Sequence, residues 1–181
     1  MKDLVRLKTS LSEEIEDILN EQIKIEAISS AKYLAMASWC GEQGFENSED
    51  FFMAQADEER NHMLKIFKYI GDMGGKPYSP EITGLNHDYN SLRELFETAL
   101  EQEVAVSRAI HRIVDLCRKQ QDYTTDNFMQ WFIQEQVEEE YIARRMVELF
   151  TVIGEDTPGG LYMIDKAIPE ITYEPQQAEG E

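Results

Sequence analysis

The sequence predicts an all-α protein, an up-down-down-up four-helix bundle with one long crossover and a short fifth helix at the C-terminus. The first observation is the placing of proline, because residues 10–74 and 90–156 contain none of the chain's five prolines. Proline is strongly disfavoured inside helices, so both stretches are free to be helical. The second is their richness in strong helix formers, chiefly Glu, Gln, Ala, Leu, Met and Lys. The third is an apolar column along each helix.

Capping residues and glycines mark the ends of the four long helices. We place these helices at about 12–40, 48–74, 91–119 and 125–154. Ser12 is the expected N-cap of the first helix. Ser91 opens the third, and Glu94 follows it at the spacing of a capping box.

The lengths of the connections predict the topology. A few residues join the first helix to the second and the third to the fourth, so each of these pairs should be antiparallel. The 16 residues 75–90 lie between the second and third helices. They reach ~50 Å when extended, whereas a helix of ~27 residues is ~40 Å long. The connection can therefore run the length of the bundle, which makes the second and third helices parallel.

The last quarter of the chain predicts a small addition to the bundle. A short apolar segment, 161–171, follows Pro158 and should form the fifth helix. We expect one domain over residues 1–171 and a flexible tail at 172–181.

Composition excludes several classes of function. The net charge is −19, from 36 acidic and 17 basic residues, and such a field repels nucleic acid and anionic membranes. No apolar run reaches the ~18 residues that span a bilayer, and the N-terminus shows no signal peptide, so we expect a cytoplasmic protein. The two cysteines, Cys40 and Cys117, lie far apart, which excludes a disulfide scaffold and a CxxC metal module.

Each long helix carries an apolar column that one glutamate interrupts near its middle. Positions seven apart on a helix lie within ~20° of each other. The columns are Leu19-Glu26-Tyr33-Cys40, Phe52-Glu59-Ile66-Met73, Phe96-Glu103-Ile110-Cys117 and Phe132-Glu139-Met146-Ile153. His62 follows Glu59 by three positions and Gln136 precedes Glu139 by three, so each pair shares one helix face.

Energetics indicate what these glutamates are for. Burying one uncompensated carboxylate costs several kcal/mol, and a whole domain is stable by only ~5–15 kcal/mol. Four such carboxylates at one depth would unfold the protein unless they were protonated or neutralised. No lysine or arginine lies in the columns to neutralise them. Two divalent cations would balance the charge, and carboxylates with one imidazole suit iron or manganese better than zinc. Di-iron bundles take their ligands from such positions.

Simpler interpretations exist for single residues. Glu59 and His62 alone would be an ordinary surface pair. Tyr33 could be a core tyrosine whose hydroxyl is hydrogen-bonded. A metal-free structural bundle would explain the helices, but it would not explain four buried glutamates in register.

Three motifs resemble the bacterial non-haem ferritins of the ferritin-like di-iron carboxylate superfamily. They are LNEQIKIE (19–26), QADEERNH (55–62) and QWFIQEQVEEE (130–140), and the resemblance extends over roughly 11–166 to GLYMIDK (160–166). It implies that Glu26, Glu59 and His62 hold one iron. Glu59 would bridge to a second iron, held with Glu103 and Glu139.

The resemblance implies further residues around this di-iron centre. Gln136 would line the pair of irons, and Tyr33 would be the tyrosine beside it. Ferritins of this type carry a third iron site, whose matching positions are Glu58, Glu135 and Glu138, with Glu139 shared. Alternatively, Glu58, Glu135 and Glu138 could simply belong to a run of charged residues on the solvent-exposed face, which explains their presence nearly as well.

Departures from related families refine this expectation. Bacterioferritins repeat Glu-x-x-His on the fourth helix, where this chain has Gln136-x-x-Glu139. One metal position should therefore bind more weakly, which favours passing iron onward over keeping a fixed cofactor, and no haem is expected. The absence of CxxC argues against rubrerythrin.

The implied function is iron storage with ferroxidase activity. Fe(II) would be oxidised to Fe(III) by O₂ or peroxide, and ferric mineral would grow inside a hollow homo-oligomeric shell of 24 subunits. The alternative is a small di-iron oxidase or peroxidase that uses the same residues and stores nothing.

Overall fold

Four long helices form the body of the structure, and shorter helical elements follow them at the C-terminal end. The structure is a computed structural model that describes residues 8–174. The long helices are α1 (Glu13–Gln43), α2 (Glu46–Asp72), α3 (Leu92–Gln120) and α4 (Tyr123–Leu149). A π-helical turn (Phe150–Gly154) extends α4, and α5 (Gly160–Ala167) and a 3₁₀ turn (Ile168–Glu170) follow. The described residues contain no strand, so the all-α prediction is confirmed. In the predicted tail, residues 172–174 are non-helical and 175–181 lie outside the described part.

Two of the predicted helix starts are confirmed by their caps. The Ser12 hydroxyl accepts a hydrogen bond from the Ile15 amide at 3.2 Å, at the start of α1. At the start of α3, the Ser91 hydroxyl accepts from the Glu94 amide at 3.1 Å. The Glu94 carboxylate in turn accepts from the Asn90 amide at 2.8 Å, which ties the residue before the cap to the first turn of α3.

The start of α2 differs from the sequence prediction, because a residue of α5 caps it. Asp165 is buried and accepts hydrogen bonds from the amides of Asn47 (3.3 Å) and Ser48 (2.9 Å), and from the Ser48 hydroxyl at 2.7 Å. Burial opposes ionisation of this carboxyl group, but the hydrogen bonds from Asn47 and Ser48 outweigh it and lower the pKa of Asp165. The helix can therefore begin at Glu46, before the predicted Ser48.

The crossover confirms the parallel arrangement of α2 and α3. The Lys76 amide donates to the Glu16 carboxylate at 3.1 Å, beside the start of α1. At the other end of the crossover, the Tyr89 ring meets Trp39, near the end of α1, with centroids 6.1 Å apart. The connection thus runs along α1, and α3 starts at the same end of the bundle as α2.

The core consists of two apolar clusters with a polar layer between them. One cluster includes Tyr33, Phe52, Phe96, Met146 and Phe150. The other includes Leu19, Ile23, Ile66, Ile110 and Phe132. Every long helix contributes residues to both clusters, and a buried glutamate lies between these two sets of residues. The four glutamates are Glu26, Glu59, Glu103 and Glu139. The helix register therefore brings the four glutamates to one level of the bundle.

No helix in the described part of the chain is both long and apolar enough to cross a membrane.

We predict that Asp165→Asn lowers the free energy of unfolding by about 2 kcal/mol at pH 7, because an amide cannot replace a carboxylate that accepts several hydrogen bonds at a helix N-terminus. The folded-state pKa is lowered, so this contribution is present above the unfolded-state pKa and is lost as the pH falls through the folded-state value. Thermal and urea unfolding at pH 7 measure the effect. The control is Asp50→Asn, which changes an exposed carboxylate on α2, the helix that Asp165 caps. If both variants unfold like the wild type, Asp165 does not cap α2.

Candidate metal centre

The polar layer presents one glutamate from each long helix to the centre of the bundle. The exposed fractions are 0% for Glu26, 5% for Glu59, 1% for Glu103 and 6% for Glu139. His62 is 4% exposed, one turn after Glu59 on α2. Because these side chains are buried together, the interpretation of Glu59 and His62 as a surface pair does not describe this structure.

The first half of the centre comes from α1 and α2. Glu26, Glu59 and His62 offer ligand atoms that all lie within 4.8 Å of one another. Nδ1 of His62 lies 3.3 Å from a carboxylate oxygen of Glu59. Gln22 donates to Oε1 of Glu26 at 2.8 Å, while the buried Oε2 of Glu26 has no hydrogen-bond partner among residues 8–174. A buried carboxylate oxygen in that state fits a cation as its missing partner.

The second half of the centre comes from α3 and α4, and it lies outside the cluster of Glu26, Glu59 and His62. The Tyr33 hydroxyl donates to Oε1 of Glu103. The Gln136 side-chain amide donates to Oε2 of Glu103 at 3.2 Å. Glu139 lies buried one turn after Gln136 on α4. Both oxygens of Glu103 are thus oriented by neutral donors, which supply no positive charge to balance an ionised carboxylate.

All four glutamates are harder to ionise than an exposed glutamate. Burial, with the charge of Glu59, raises the pKa of Glu26 well above its ordinary value. Burial, with the charges of Glu103 and Glu139, does the same to the pKa of Glu59. The pKa of Glu103 is raised by burial, and that of Glu139 rises to about 9 through burial and the charge of Glu103. Glu59 is therefore close enough to the glutamates of the second half for their charges to affect its ionisation.

The residues expected at a third site are partly brought together. Glu58 and Glu135 form a second cluster of potential ligands with His62, again with atoms within 4.8 Å of one another. Glu138 is outside this cluster and half-buried, and its pKa is raised by burial and then by the charges of Glu135 and Glu58. The resemblance predicts His62 only at the first iron and not in this group. The signal was available, because Glu58 and His62 have the i, i+4 spacing of helix neighbours.

A surface cavity opens beside this second cluster, between α2 and α4. Its volume is about 740 Å³, and its lining includes Glu58, His62, Lys65 and Trp131. The Trp131 ring meets the His62 ring edge-on with centroids 5.4 Å apart, and the Lys65 ammonium lies 3.8 Å from the centroid of the Trp131 ring. The cavity connects the buried imidazole to the surface. Sequence reasoning missed Trp131 and Lys65, which lie on different helices and are far apart in the chain.

This chain is similar to known proteins over most of its length. The family model described as Ferritin-like domain matches residues 16–152. A probable bacterial non-heme ferritin-like protein of Haemophilus influenzae is 36% identical over 162 residues, which are 90% of this chain and 98% of that protein. A bacterial non-heme ferritin of Staphylococcus aureus is 34% identical over 164 residues, 91% of this chain and 98% of that protein. The crystal structure of an open pore ferritin from the archaeon Archaeoglobus fulgidus matches with a TM-score of 0.84 at 34% identity, over 88% of this chain and 96% of that one.

The raised pKa of Glu139 predicts how the stability of the metal-free protein depends on pH. A group whose folded-state pKa is raised contributes stability that is fully present below its unfolded-state pKa, and that contribution is lost progressively as the pH rises from there to the folded-state value, here about 9. Glutamine is neutral at every pH. Metal-free Glu139→Gln should therefore melt at least about 3 °C above the wild type at pH 8 and close to it at pH 5.

The control for this prediction is Glu148→Gln, which changes a half-exposed glutamate on the same helix. It should follow the wild type at both pH values. If Glu139→Gln melts at the same temperature as the wild type at pH 8, burial does not raise the pKa of Glu139 as described.

Proposed function

This chain belongs to the ferritin family, and from that premise we propose that it stores iron: it oxidises Fe(II) to Fe(III) at the buried centre and keeps the ferric product as mineral inside a shell of 24 copies. The observation that carries the proposal is the layer of four buried glutamates, one from each long helix. Iron is the substrate here, and two Fe²⁺ ions match the four carboxylates in charge.

The residues divide between two iron positions. Glu26, Glu59 and His62 would hold one Fe²⁺, since their ligand atoms are already close and one oxygen of Glu26 lacks a partner within the described chain. Glu103 and Glu139 would hold the other. The proposal that Glu59 bridges the two positions is supported by its interactions with glutamates of both halves.

Proton release is the first chemical step that these residues perform. Carboxyl groups with raised pKa values bind protons in the metal-free protein, and a cation binds to the deprotonated form. Uptake of Fe²⁺ therefore expels protons from the layer. Two Fe²⁺ then supply the two electrons that reduce O₂ to H₂O₂, or one H₂O₂ to two waters. The protein contributes ligand positions and charge balance to this oxidation.

The second half of the centre favours release of the product. Gln136 provides a neutral amide where a second Glu-x-x-His pair would provide a carboxylate, and Tyr33 and Gln136 both donate to Glu103. Donors of this kind withdraw electron density from the carboxylate and weaken it as a ligand. We propose that iron leaves from here toward the third site, at Glu58 and Glu135 with Glu138 beside them.

Loading with iron tests storage against the alternative of a small di-iron oxidase or peroxidase. Shell assembly of 24 chains of 21.0 kDa gives a native mass of about 500 kDa. We expect a particle of that mass, and aerobic addition of Fe²⁺ should leave far more than two irons per chain soluble and bound to protein. A small oligomer that retains about two irons per chain would contradict storage and support the alternative.

Glu59→Ala tests the centre itself. It removes the residue that faces both halves, so the initial rate of Fe²⁺ oxidation should fall by on the order of 100-fold. The rate is measured by the absorbance of the ferric product in the first seconds after mixing. Glu101→Ala is the matched control, because it removes an exposed carboxylate from α3 and should oxidise Fe²⁺ like the wild type. An unchanged rate in Glu59→Ala would place the oxidation elsewhere.

A further inference from the structure

A short hydrogen-bonded chain leads from Glu103 in the centre to the outer surface between α3 and α4. The Gln136 side-chain nitrogen donates to the Glu103 carboxylate at 3.2 Å and lies 3.3 Å from the Ser107 hydroxyl oxygen. The Ser107 hydroxyl donates to Oε1 of Glu140 at 2.6 Å. Oε2 of Glu140 accepts from Arg144 at 3.2 Å, at the surface.

This chain of bonds has a direction. A hydroxyl group has one proton, and Ser107 gives it to Glu140, so its lone pairs face Gln136. The amide end of Gln136 that points at Ser107 must therefore be the NH₂ end. The backbone carbonyl oxygen of Glu103 lies 3.2 Å from the same nitrogen and can only accept, so it also requires the NH₂ end there.

We propose that Ser107 and Glu140 are positioning residues that hold the Gln136 amide with its NH₂ group against Glu103, and thereby fix the Glu103 carboxylate for the second iron. The inference rests on the two-iron centre proposed above. Without Ser107 the NH₂ group loses one of its three acceptors, and without Glu140 the freed Ser107 hydroxyl can donate to a carbonyl oxygen of Gln136 instead of accepting from the NH₂ group. In either case the amide is held less firmly against Glu103. A turned amide would place its oxygen against a Glu103 oxygen and push the carboxylate away.

The register of the two helices supports this role. Ser107 follows Glu103 by one turn of α3, and Glu140 follows Gln136 by one turn of α4, so the two pairs face each other at matching levels. A surface cavity of about 270 Å³ lies over Ser107, Gln136, Glu140 and Arg144. The Glu140 side chain is 28% exposed, so substitutions there can be made without disrupting the core.

Titration of the metal-free protein with Zn²⁺ alone, followed by calorimetry, tests the proposal without iron oxidation. Ser107→Ala and Glu140→Ala should each weaken the binding step of the second half about tenfold and leave the step at Glu26, Glu59 and His62 unchanged. The double variant should be no weaker than either single one, because both residues act through one chain of bonds.

Two further variants separate positioning from charge. Glu140→Gln keeps a carbonyl oxygen that accepts the Ser107 proton, so it should bind Zn²⁺ like the wild type. Glu148→Ala removes a carboxylate that is also paired with an arginine of α4, and it too should bind like the wild type.

The outcomes that overturn the proposal are distinct from those that overturn the function. If Ser107→Ala binds both ions normally, or if Glu140→Gln is as weak as Glu140→Ala, the positioning role is wrong while the two-cation centre stands. Equal weakening of both steps would also overturn it, since a charge or folding effect would then explain the loss. A wild type without a second binding step would overturn the two-cation centre and this inference together.

Discussion

Burial of four carboxyl groups at one level of a helical bundle is the constraint on which the rest of the structure depends. Each would cost several kcal/mol if it were left charged and alone, against a domain stability of ~5–15 kcal/mol. Burial raises the pKa values of Glu26, Glu59, Glu103 and Glu139, so protonation relieves part of this cost when no cation is bound. Apolar clusters on both sides of the layer supply the stability that the layer itself does not.

The topology serves this constraint. α2 and α3 are parallel, while α1 is antiparallel to α2 and α4 is antiparallel to α3. In this arrangement every long helix brings the middle of its apolar column to one level. The crossover achieves this by running along α1, between contacts at Glu16 and at Trp39. Asp165 joins α5 to the start of α2, so the far end of the chain helps to fix the helix that carries Glu59 and His62. Tyr33 and Gln136 then orient the Glu103 carboxylate without adding a positive charge beside it.

Much of this was predictable because helix periodicity is local information. The seven-residue columns placed Glu26, Glu59, Glu103 and Glu139 in the core, and the structure buries all four. The N-caps Ser12 and Ser91 are also local patterns, and both are found.

Contacts between distant parts of the chain could not be predicted in the same way. Asp165 caps a helix more than a hundred residues away, and nothing near Ser48 indicates it. Lys65 and Trp131 meet across two helices whose rotation about their axes the sequence does not determine. The chain from Gln136 through Ser107 to Glu140 depends on the relative level of α3 and α4, to within a fraction of a turn.

The central claim is that a pair of cations neutralises the buried layer. The most direct measurement is anomalous diffraction from crystals loaded with Fe²⁺ without oxygen. We expect two iron peaks per chain inside the bundle, one among Glu26, Glu59 and His62 and one at Glu103 and Glu139. Iron found on exposed carboxylates alone, with the layer free of metal, would contradict it.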